Sequence, residues 1–101
     1  MKTYKIDPGN GFKVLGGTEK SQSATMVLSA GDKTGGPDNK HESSDQWLYV
    51  ISGKGKAVIE GEEIAFGAGS LILIEVGETH EIINDGEDDL VTLNFYAPPE
   101  Y

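Results

Sequence analysis

The chain contains no cysteine, and this absence removes several kinds of chemistry. Disulfide bonds and thiolate metal sites cannot form, and no cysteine nucleophile is present. The length of 101 residues is typical of one domain, so we expect a single domain over residues 1–101.

Basic residues are scarce. Lysine and arginine together number 8, whereas aspartate and glutamate number 17, which gives a net charge of −9 at pH 7. Nucleic acids and anionic membrane surfaces bind proteins through basic patches. We therefore expect neither a nucleic acid nor a membrane as a partner.

Long apolar runs are also absent. The longest run, LILI at residues 71–74, is far shorter than the roughly 20 residues of a membrane-spanning helix. The first twelve residues, MKTYKIDPGNGF, lack the apolar stretch of a signal peptide. The sequence therefore predicts a cytoplasmic protein.

Glycine, in contrast, occurs 14 times and separates short segments of β-forming residues. No segment shows clean helical periodicity, and this pattern is typical of an all-β sandwich or barrel. GKAVIEGEEIAF at 55–66 predicts a β-hairpin, and the Asp-Gly pair in NDGEDD at 84–89 predicts another hairpin turn. The eight predicted strands cover residues 12–15, 24–28, 47–51, 57–60, 63–66, 71–74, 81–83 and 90–96.

The predicted strand at 47–51 is apolar on both faces. Because side chains alternate along a strand, Leu48 and Val50 share one face, and Trp47, Tyr49 and Ile51 share the other. One face should line the interior of a barrel. The other face needs a cover, and we expect a homodimer to provide it.

Only two histidines occur, and each lies in a group of regularly spaced residues. Asn39, His41 and Gln46 belong to the first group, which closes at Gly53. His80 belongs to the second. Imidazole is the commonest side-chain metal ligand near neutral pH, and amide oxygens are weaker ligands. The two groups suggest one metal site built from distant parts of the chain.

The second group reads Gly69, Glu75, Gly77, His80 and Asn84. Its spacing resembles the second sequence motif of the cupin superfamily, G-x5-P-x-G-x2-H-x3-N. Every interval matches, and Glu75 replaces the proline. The chain is therefore similar to the small single-domain cupins.

The first group resembles the first cupin motif, G-x5-H-x-H-x(3,4)-E-x6-G, less closely. His41 matches the second histidine of the motif. Asn39 stands at the position of the first histidine, and Gln46 stands at the position of the glutamate. The opening glycine is displaced, since Gly31 lies eight residues before Asn39.

The resemblance implies an all-β double-stranded β-helix, also called a jelly-roll barrel. It implies that the barrel holds a divalent metal ion (nickel, zinc, manganese or iron). It also implies a small-molecule ligand and a homodimer. Carried over position by position, the metal ligands are Asn39, His41, Gln46 and His80.

This set of ligands contains no anion. A bound ion would keep its full positive charge, so we expect weak metal binding and a preference for a small anionic, oxygen-bearing ligand. Asp38, Glu42 and Asp45 lie close enough in sequence to add a carboxylate, and Asp45 is the least favoured because it should face away. In the alternative, the metal site is empty, and Asn39 and Gln46 bond to each other or to the loop.

Three classes of function therefore remain. The first is a metal-dependent isomerase, dioxygenase or decarboxylase, the second is a non-catalytic protein that binds a sugar or organic acid, and the third is a structural protein with an empty barrel. An enzyme needs an acid or base besides the metal ligands. The candidates for that role are Glu75, Glu78, Tyr49 and Tyr96.

Overall fold

The structure, a computed structural model, describes residues 1–36 and 39–101. All eight predicted strands are present, and most of them extend beyond the predicted bounds. Neither described range contains a helix long and apolar enough to cross a membrane. The strands are β1 (Gly11–Gly17), β2 (Gln22–Leu28), β3 (Asp45–Ser52), β4 (Lys54–Ile59), β5 (Glu62–Gly67), β6 (Leu71–Ile74), β7 (His80–Ile83) and β8 (Leu90–Ala97).

The strands form two antiparallel sheets. The larger sheet has the strand order β1-β2-β8-β3-β6, and the smaller has the order β5-β4-β7. Strands that are adjacent in the larger sheet are mostly distant in sequence, as in β8 beside β3. This architecture is the predicted double-stranded β-helix, and the predicted fold class is confirmed.

The predicted hairpin at 55–66 is confirmed as β4 and β5. Ile59 pairs with Glu62, which leaves Glu60 and Gly61 as a two-residue turn. Both turn residues have positive φ, 50° and 78°. Positive φ at both positions is the geometry of a type I′ turn, whose twist matches that of the flanking strands.

The second hairpin, predicted at 84–89, is wrong. β7 pairs with β4 in the smaller sheet, whereas β8 pairs with β2 and β3 in the larger one. The segment therefore crosses between sheets. The buried side chain of Asn84 stabilises this crossing, because its amide nitrogen donates to the carbonyl oxygens of Leu28 (2.9 Å) and Asp88 (2.8 Å).

One end of the barrel interior is an apolar core. Leu48 and Val50 point into it and are fully buried, whereas Trp47 and Tyr49 on the other face of β3 are 42% and 41% exposed. The predicted faces of this strand are therefore confirmed. The buried core consists of Met26, Leu48, Val50, Ala57, Phe66, Ile74, Ile82 and Leu90.

The other end of the interior is polar. Gln46 on β3 pairs with Tyr96 on β8, and both side chains are buried. Thr92 and Asn94, which precede Tyr96 on the same face of β8, are buried as well. The inner face of β8 is therefore polar from Thr92 to Tyr96, whereas that of β3 is polar only at Gln46, and the candidate site lies beside the Gln46–Tyr96 pair.

Candidate metal and ligand site

The four predicted ligands lie around one cavity. Asn39, His41, Gln46 and His80 all line a space of about 290 Å³. Gln46 comes from the inner face of β3, and His80 is the first residue of β7. Asn39 and His41 come from the loop between β2 and β3. The structure therefore brings together residues from distant parts of the chain, and their role as ligands remains a prediction.

The loop segment 39–41 is fixed against the residues that precede β7. His80 donates its backbone N–H to the carbonyl oxygen of Asn39 (2.7 Å), and Gly77 donates to that of His41 (2.9 Å). Lys40 and Thr79 form an isolated antiparallel bridge between the two segments. These backbone contacts place the two histidines side by side.

The two imidazole rings face each other at short range. Their centroids lie 4.6 Å apart, with an angle of 47° between the ring planes. His80 directs Nδ1 towards the carbonyl oxygen of Glu78 at 3.3 Å, which leaves Nε2 on the side of Asn39. The Nδ1 atom of His41 is buried and has no hydrogen-bond partner in the part of the chain that the structure describes.

The two amide residues differ in their surroundings. Gln46 is buried, whereas Asn39 is exposed and directs its amide nitrogen at Nε2 of His80 (3.4 Å). No hydrogen bond joins the two amides among residues 1–36 and 39–101. In the alternative with an empty metal site, Asn39 and Gln46 were predicted to bond to each other or to the loop. The first of these two arrangements is not observed.

Aromatic side chains form one wall of the cavity. Tyr96 meets the ring of His41 edge-on at 5.3 Å, and Tyr101 lies 5.1 Å from Tyr96. The Tyr101 hydroxyl is 3.4 Å from Nε2 of His41, and Phe12 packs on Tyr101 at 4.7 Å. Neither Phe12 nor Tyr101 is among the site residues predicted from the sequence.

A buried polar row leads to this wall along β8. The Thr92 hydroxyl donates to the Asn94 side-chain oxygen (3.1 Å), and the Asn94 amide lies 3.5 Å from the Tyr96 hydroxyl. Polar residues at alternate positions, between the apolar Val91, Leu93 and Phe95, are a signal that the inner face of this strand is polar. That signal could have assigned Tyr96 to the cavity from the sequence.

Of the predicted additional carboxylates, Glu42 and Asp45 do not line the cavity. Glu42 is exposed, and Asp45 accepts a hydrogen bond from the backbone N–H of Val76 (3.0 Å). Asp38 lies outside the described residues. Within the described ranges, no group of three or more histidine, cysteine, aspartate or glutamate side chains is arranged to hold a metal ion.

Of the four acid–base candidates, only Tyr96 lines the cavity. Tyr49 lies on the opposite face of its sheet, and Glu78 accepts a hydrogen bond from the backbone N–H of Glu75 (2.7 Å). Glu100, whose charge acts on His41, is also absent from the residues predicted from the sequence. The Ser44 hydroxyl is 3.0 Å from the Glu100 carboxylate.

Burial keeps both imidazoles neutral near pH 7. Burial lowers the pKa of His41, and the neighbouring His80 lowers it further, although the Glu100 carboxylate acts in the opposite direction. Burial also lowers the pKa of His80, and the hydrogen bond to the Glu78 carbonyl opposes this shift. Neutral imidazole is the form that binds metal ions.

Burial has the opposite effect on the two phenols. It raises the pKa of Tyr96, and the neighbouring Tyr101 raises it further. Burial likewise raises the pKa of Tyr101. Both hydroxyls therefore remain protonated at neutral pH, and each can donate a hydrogen bond to a ligand in the cavity.

The donor set fits a divalent ion, although without an anionic ligand. The ring centroids lie 4.6 Å apart, so both imidazoles could contribute a nitrogen ligand to one ion. The contact between Nδ1 of His80 and the Glu78 carbonyl is the kind of outer hydrogen bond that orients a metal-binding histidine. His41 lacks such a partner on its Nδ1 in the described part, so its orientation is less firmly set.

Comparison with known families supports the resemblance seen in the motifs. Residues 24–96 match the family model of the cupin domain. This range includes the four predicted ligands and Tyr96, but neither Phe12 nor Tyr101.

Two matches to this chain come from Thermotoga maritima. A protein named as oxalate-binding is 33% identical over 67 residues, which cover 66% of this chain and 54% of that protein. The chain thus spans about half the length of this curated relative. A crystal structure of a predicted oxalate decarboxylase has 28% identity and a TM-score of 0.79, and the match covers 87% of this chain and 79% of that one.

A protein from Bacillus halodurans shares the fold more closely. Its crystal structure superposes with a TM-score of 0.86, covering 91% of this chain and 73% of the other. The identity is 24%, so this likeness concerns the fold alone.

We expect the metal-free protein to lose stability as the pH falls from about 7 to about 5, in part because of the two histidines. Their pKa values are lowered in the folded state, so the unfolded chain takes up protons first as the pH falls through about 6.5. Urea unfolding should show a larger fall in the free energy of unfolding for wild type than for His41→Gln/His80→Gln. An identical pH dependence of the two proteins would contradict the lowered pKa values.

Proposed function

The chain belongs to the cupin family, and on that premise we propose that it binds a divalent metal ion inside the barrel and, through the ion, a small anionic metabolite. The observation that carries the proposal is the pair of buried, neutral imidazoles 4.6 Å apart in a cavity lined by uncharged donors. Two neutral imidazoles can bind a cation without neutralising its charge.

His41 and His80 would hold the ion through imidazole nitrogens, and Gln46 and Asn39 would add amide oxygens. When bound, a divalent ion supplies positive charge and open coordination positions for oxygen ligands. The described residues that line the cavity include no carboxylate. The positive charge would therefore act fully on a ligand, because a cavity with little water screens it weakly.

The dimensions and polarity of the cavity favour a small acid. A volume of about 290 Å³ lies at the lower limit of ligand pockets, which are about 300–1,000 Å³. The Tyr96 and Tyr101 hydroxyls can donate to carboxylate oxygens. Both Thermotoga maritima matches carry oxalate in their names, which supports a small carboxylate as the ligand class here.

Binding fits the site better than catalysis does. A proton acceptor would be needed for isomerase or decarboxylase chemistry besides the metal ligands. Both imidazoles serve as ligands in this proposal, and both phenols remain protonated. The described cavity lining therefore offers no free general base, and a dioxygenase role has no specific support.

A non-catalytic ligand-binding protein without metal is the second candidate. One contact favours it: the amide N–H of Asn39 points at Nε2 of His80, the nitrogen that would bind the ion. Metal binding requires this amide to turn its oxygen inward or to move away. Titration of the protein with nickel distinguishes the two candidates.

We also propose a homodimer formed through one face of the larger sheet. We define the outer patch as Trp47, Tyr49, Leu71, Leu73, Leu93 and Phe95. Cross-strand pairing makes it continuous, since Trp47 lies between Leu73 and Phe95 and Tyr49 between Leu71 and Leu93. The patch carries no charge, although the chain has a net charge of −9. A second copy can therefore cover it without like-charge repulsion inside the interface.

Metal binding should depend strongly on His80 and weakly on Gln46. Replacing His80 with alanine removes one of two imidazoles and should abolish nickel uptake in titration calorimetry. Gln46→Ala should weaken uptake, whereas Gln46→Glu should tighten it by about tenfold or more, because a carboxylate adds direct attraction to the ion. Equal uptake by wild type and His41→Ala/His80→Ala would exclude this metal site.

Small acids should stabilise the protein more than neutral sugars do, and only with metal present. Oxalate and glycolate carry the charge that an uncompensated ion attracts, and glucose does not. A thermal-shift assay would compare the three ligands with nickel-loaded and chelator-treated protein. A larger shift with glucose, or an acid-induced shift that survives chelation, would refute the metal-dependent proposal.

The mass in solution should be about twice 10.8 kDa at micromolar concentration. Tyr49→Glu places a charge at the centre of the outer patch and should give a monomer or an insoluble protein. Ile64→Glu is the matched control, because Ile64 is 46% exposed on the smaller sheet and should tolerate the charge. Light scattering that shows a monomeric wild type would rule out the dimer.

A further inference from the structure

Residues 98–101 follow β8 and lie beside the cavity. We call this segment the strap. It has no strand or helix of its own, yet its last residue lines the same cavity as the two histidines. Tyr101 is also 61% exposed, so its side chain stands between the cavity and solvent. A ligand that reaches the histidines from this side has to pass or contact Tyr101.

Two buried side chains hold the strap. The side-chain oxygen of Gln22 accepts from the backbone N–H groups of Glu100 (3.2 Å) and Tyr101 (2.9 Å), and its amide nitrogen donates to the main-chain oxygen of Tyr101. The Ser44 hydroxyl donates to the Pro98 carbonyl oxygen (2.6 Å). Gln22 and Ser44 are 8% and 0% exposed. Buried polar groups are almost always paired, and here the strap provides the partners.

The strap places one hydroxyl at the candidate ligand site. The Tyr101 ring packs between Phe12 (4.7 Å) and Tyr96 (5.1 Å), and its hydroxyl lies 3.4 Å from Nε2 of His41. A phenol can donate one hydrogen bond, and a neutral imidazole nitrogen can accept it. If Nε2 of His41 binds an ion instead, the Tyr101 hydroxyl needs another hydrogen-bond acceptor nearby.

We propose that the strap closes over the ligand and that Tyr101 determines ligand specificity by transferring its hydrogen bond from His41 to an oxygen of the bound acid. This inference rests on the proposed function, since it requires a ligand at the His41–His80 pair. A carboxylate offers the acceptor that a bare alkyl group lacks. The long contact of 3.4 Å to His41 is weak, so exchanging it for a short hydrogen bond to a charged oxygen is favourable.

The strap also holds Glu100 outside the cavity lining, although its charge acts on His41. The Glu100 carboxylate lies 3.0 Å from Oγ of Ser44, but the single hydroxyl hydrogen of Ser44 is donated to the nearer Pro98 carbonyl oxygen. A carboxylate that moved closer to the histidines would repel an anion more strongly. Anion binding therefore requires the strap to keep Glu100 outside the cavity lining.

The first experiment tests the strap in the metal-free protein. Amide hydrogen exchange measured by NMR should show protected N–H groups at Glu100 and Tyr101 in wild type. Gln22→Ala removes their acceptor and should abolish that protection, while the amides of β3 remain protected. If the amides of Glu100 and Tyr101 are unprotected in wild type, the proposal that the strap is held beside the cavity is wrong, whatever the protein binds.

The second experiment tests Tyr101 with nickel-loaded protein and glycolate as the probe. Tyr101→Phe keeps the ring and removes the hydroxyl, and it should weaken glycolate binding by about 10- to 150-fold, the loss expected for one hydrogen bond to a charged group. The nickel affinity of Tyr101→Phe should differ from that of wild type by less than about twofold, because the Tyr101 phenol is not one of the proposed metal ligands. Tyr4→Phe is the matched control, since Tyr4 lies outside the cavity.

The outcomes separate the strap from the proposed function. If the wild-type protein binds neither nickel nor glycolate, the proposed function is refuted. The role of Tyr101 in ligand binding is then refuted as well. If wild type binds both nickel and glycolate, and Tyr101→Phe and Gln22→Ala bind glycolate as well as wild type does, only the role of Tyr101 is refuted. If Gln22→Ala fails to fold, Tyr101→Phe still decides the question.

Discussion

The pairing of β3 with β8 is the constraint on which the core, the cavity and the outer patch all depend. Antiparallel register places Gln46 opposite Tyr96 and Trp47 opposite Phe95. Because side chains alternate, a slip of one residue in β8 would turn the polar inner face of that strand outward, and a slip in β3 would turn Gln46, Leu48 and Val50 outward. Burial of Leu48 and Val50 on the inner face opposes such a slip. The apolar core thus fixes the register that brings Gln46 and Tyr96 to the site.

The amino-acid sequence predicts much of this arrangement because the relevant signals are local. Alternation along 47–51 gives the two faces of β3, and Glu60-Gly61 gives a tight turn. The motif spacing indicates that His41 and His80 meet. The failed hairpin at 84–89 shows the limit of local signals, since an Asp-Gly pair predicts a turn but not which strand lies next to which. Asn84 instead ties the crossing segment to Leu28, a contact 56 residues away.

The aromatic wall was not predictable for a related reason. Phe12 lies on an edge strand, and Tyr101 lies in a segment without periodicity, so neither carries a pattern that places it near a histidine. Their positions follow from tertiary contacts with Gln22 and Tyr96. Tyr96 differs, because the alternation of Thr92, Asn94 and Tyr96 with apolar neighbours marks the polar inner face. A sequence reading that treats polar alternation as seriously as apolar alternation would have found it.

The cavity is electrically unlike the rest of the molecule. The chain carries nine more negative than positive charges, yet the described cavity lining consists of imidazole, amide, hydroxyl and apolar groups. Burying a charge is costly unless it is paired, whereas neutral polar groups need only hydrogen bonds. Surface charges act over about one Debye length, about 8 Å at physiological ionic strength. The acidic surface and the uncharged cavity lining can therefore serve separate purposes, solubility and ligand preference.

The site is also shared between the two sheets. Gln46 and Tyr96 belong to the larger sheet, and His80 belongs to the smaller one. No disulfide joins the sheets, since the chain has no cysteine. An ion or acid held by residues of both sheets would act as a removable cross-link between them. Occupancy would then resist separation of the sheets, so the barrel would gain mechanical and kinetic stability from the molecule it carries.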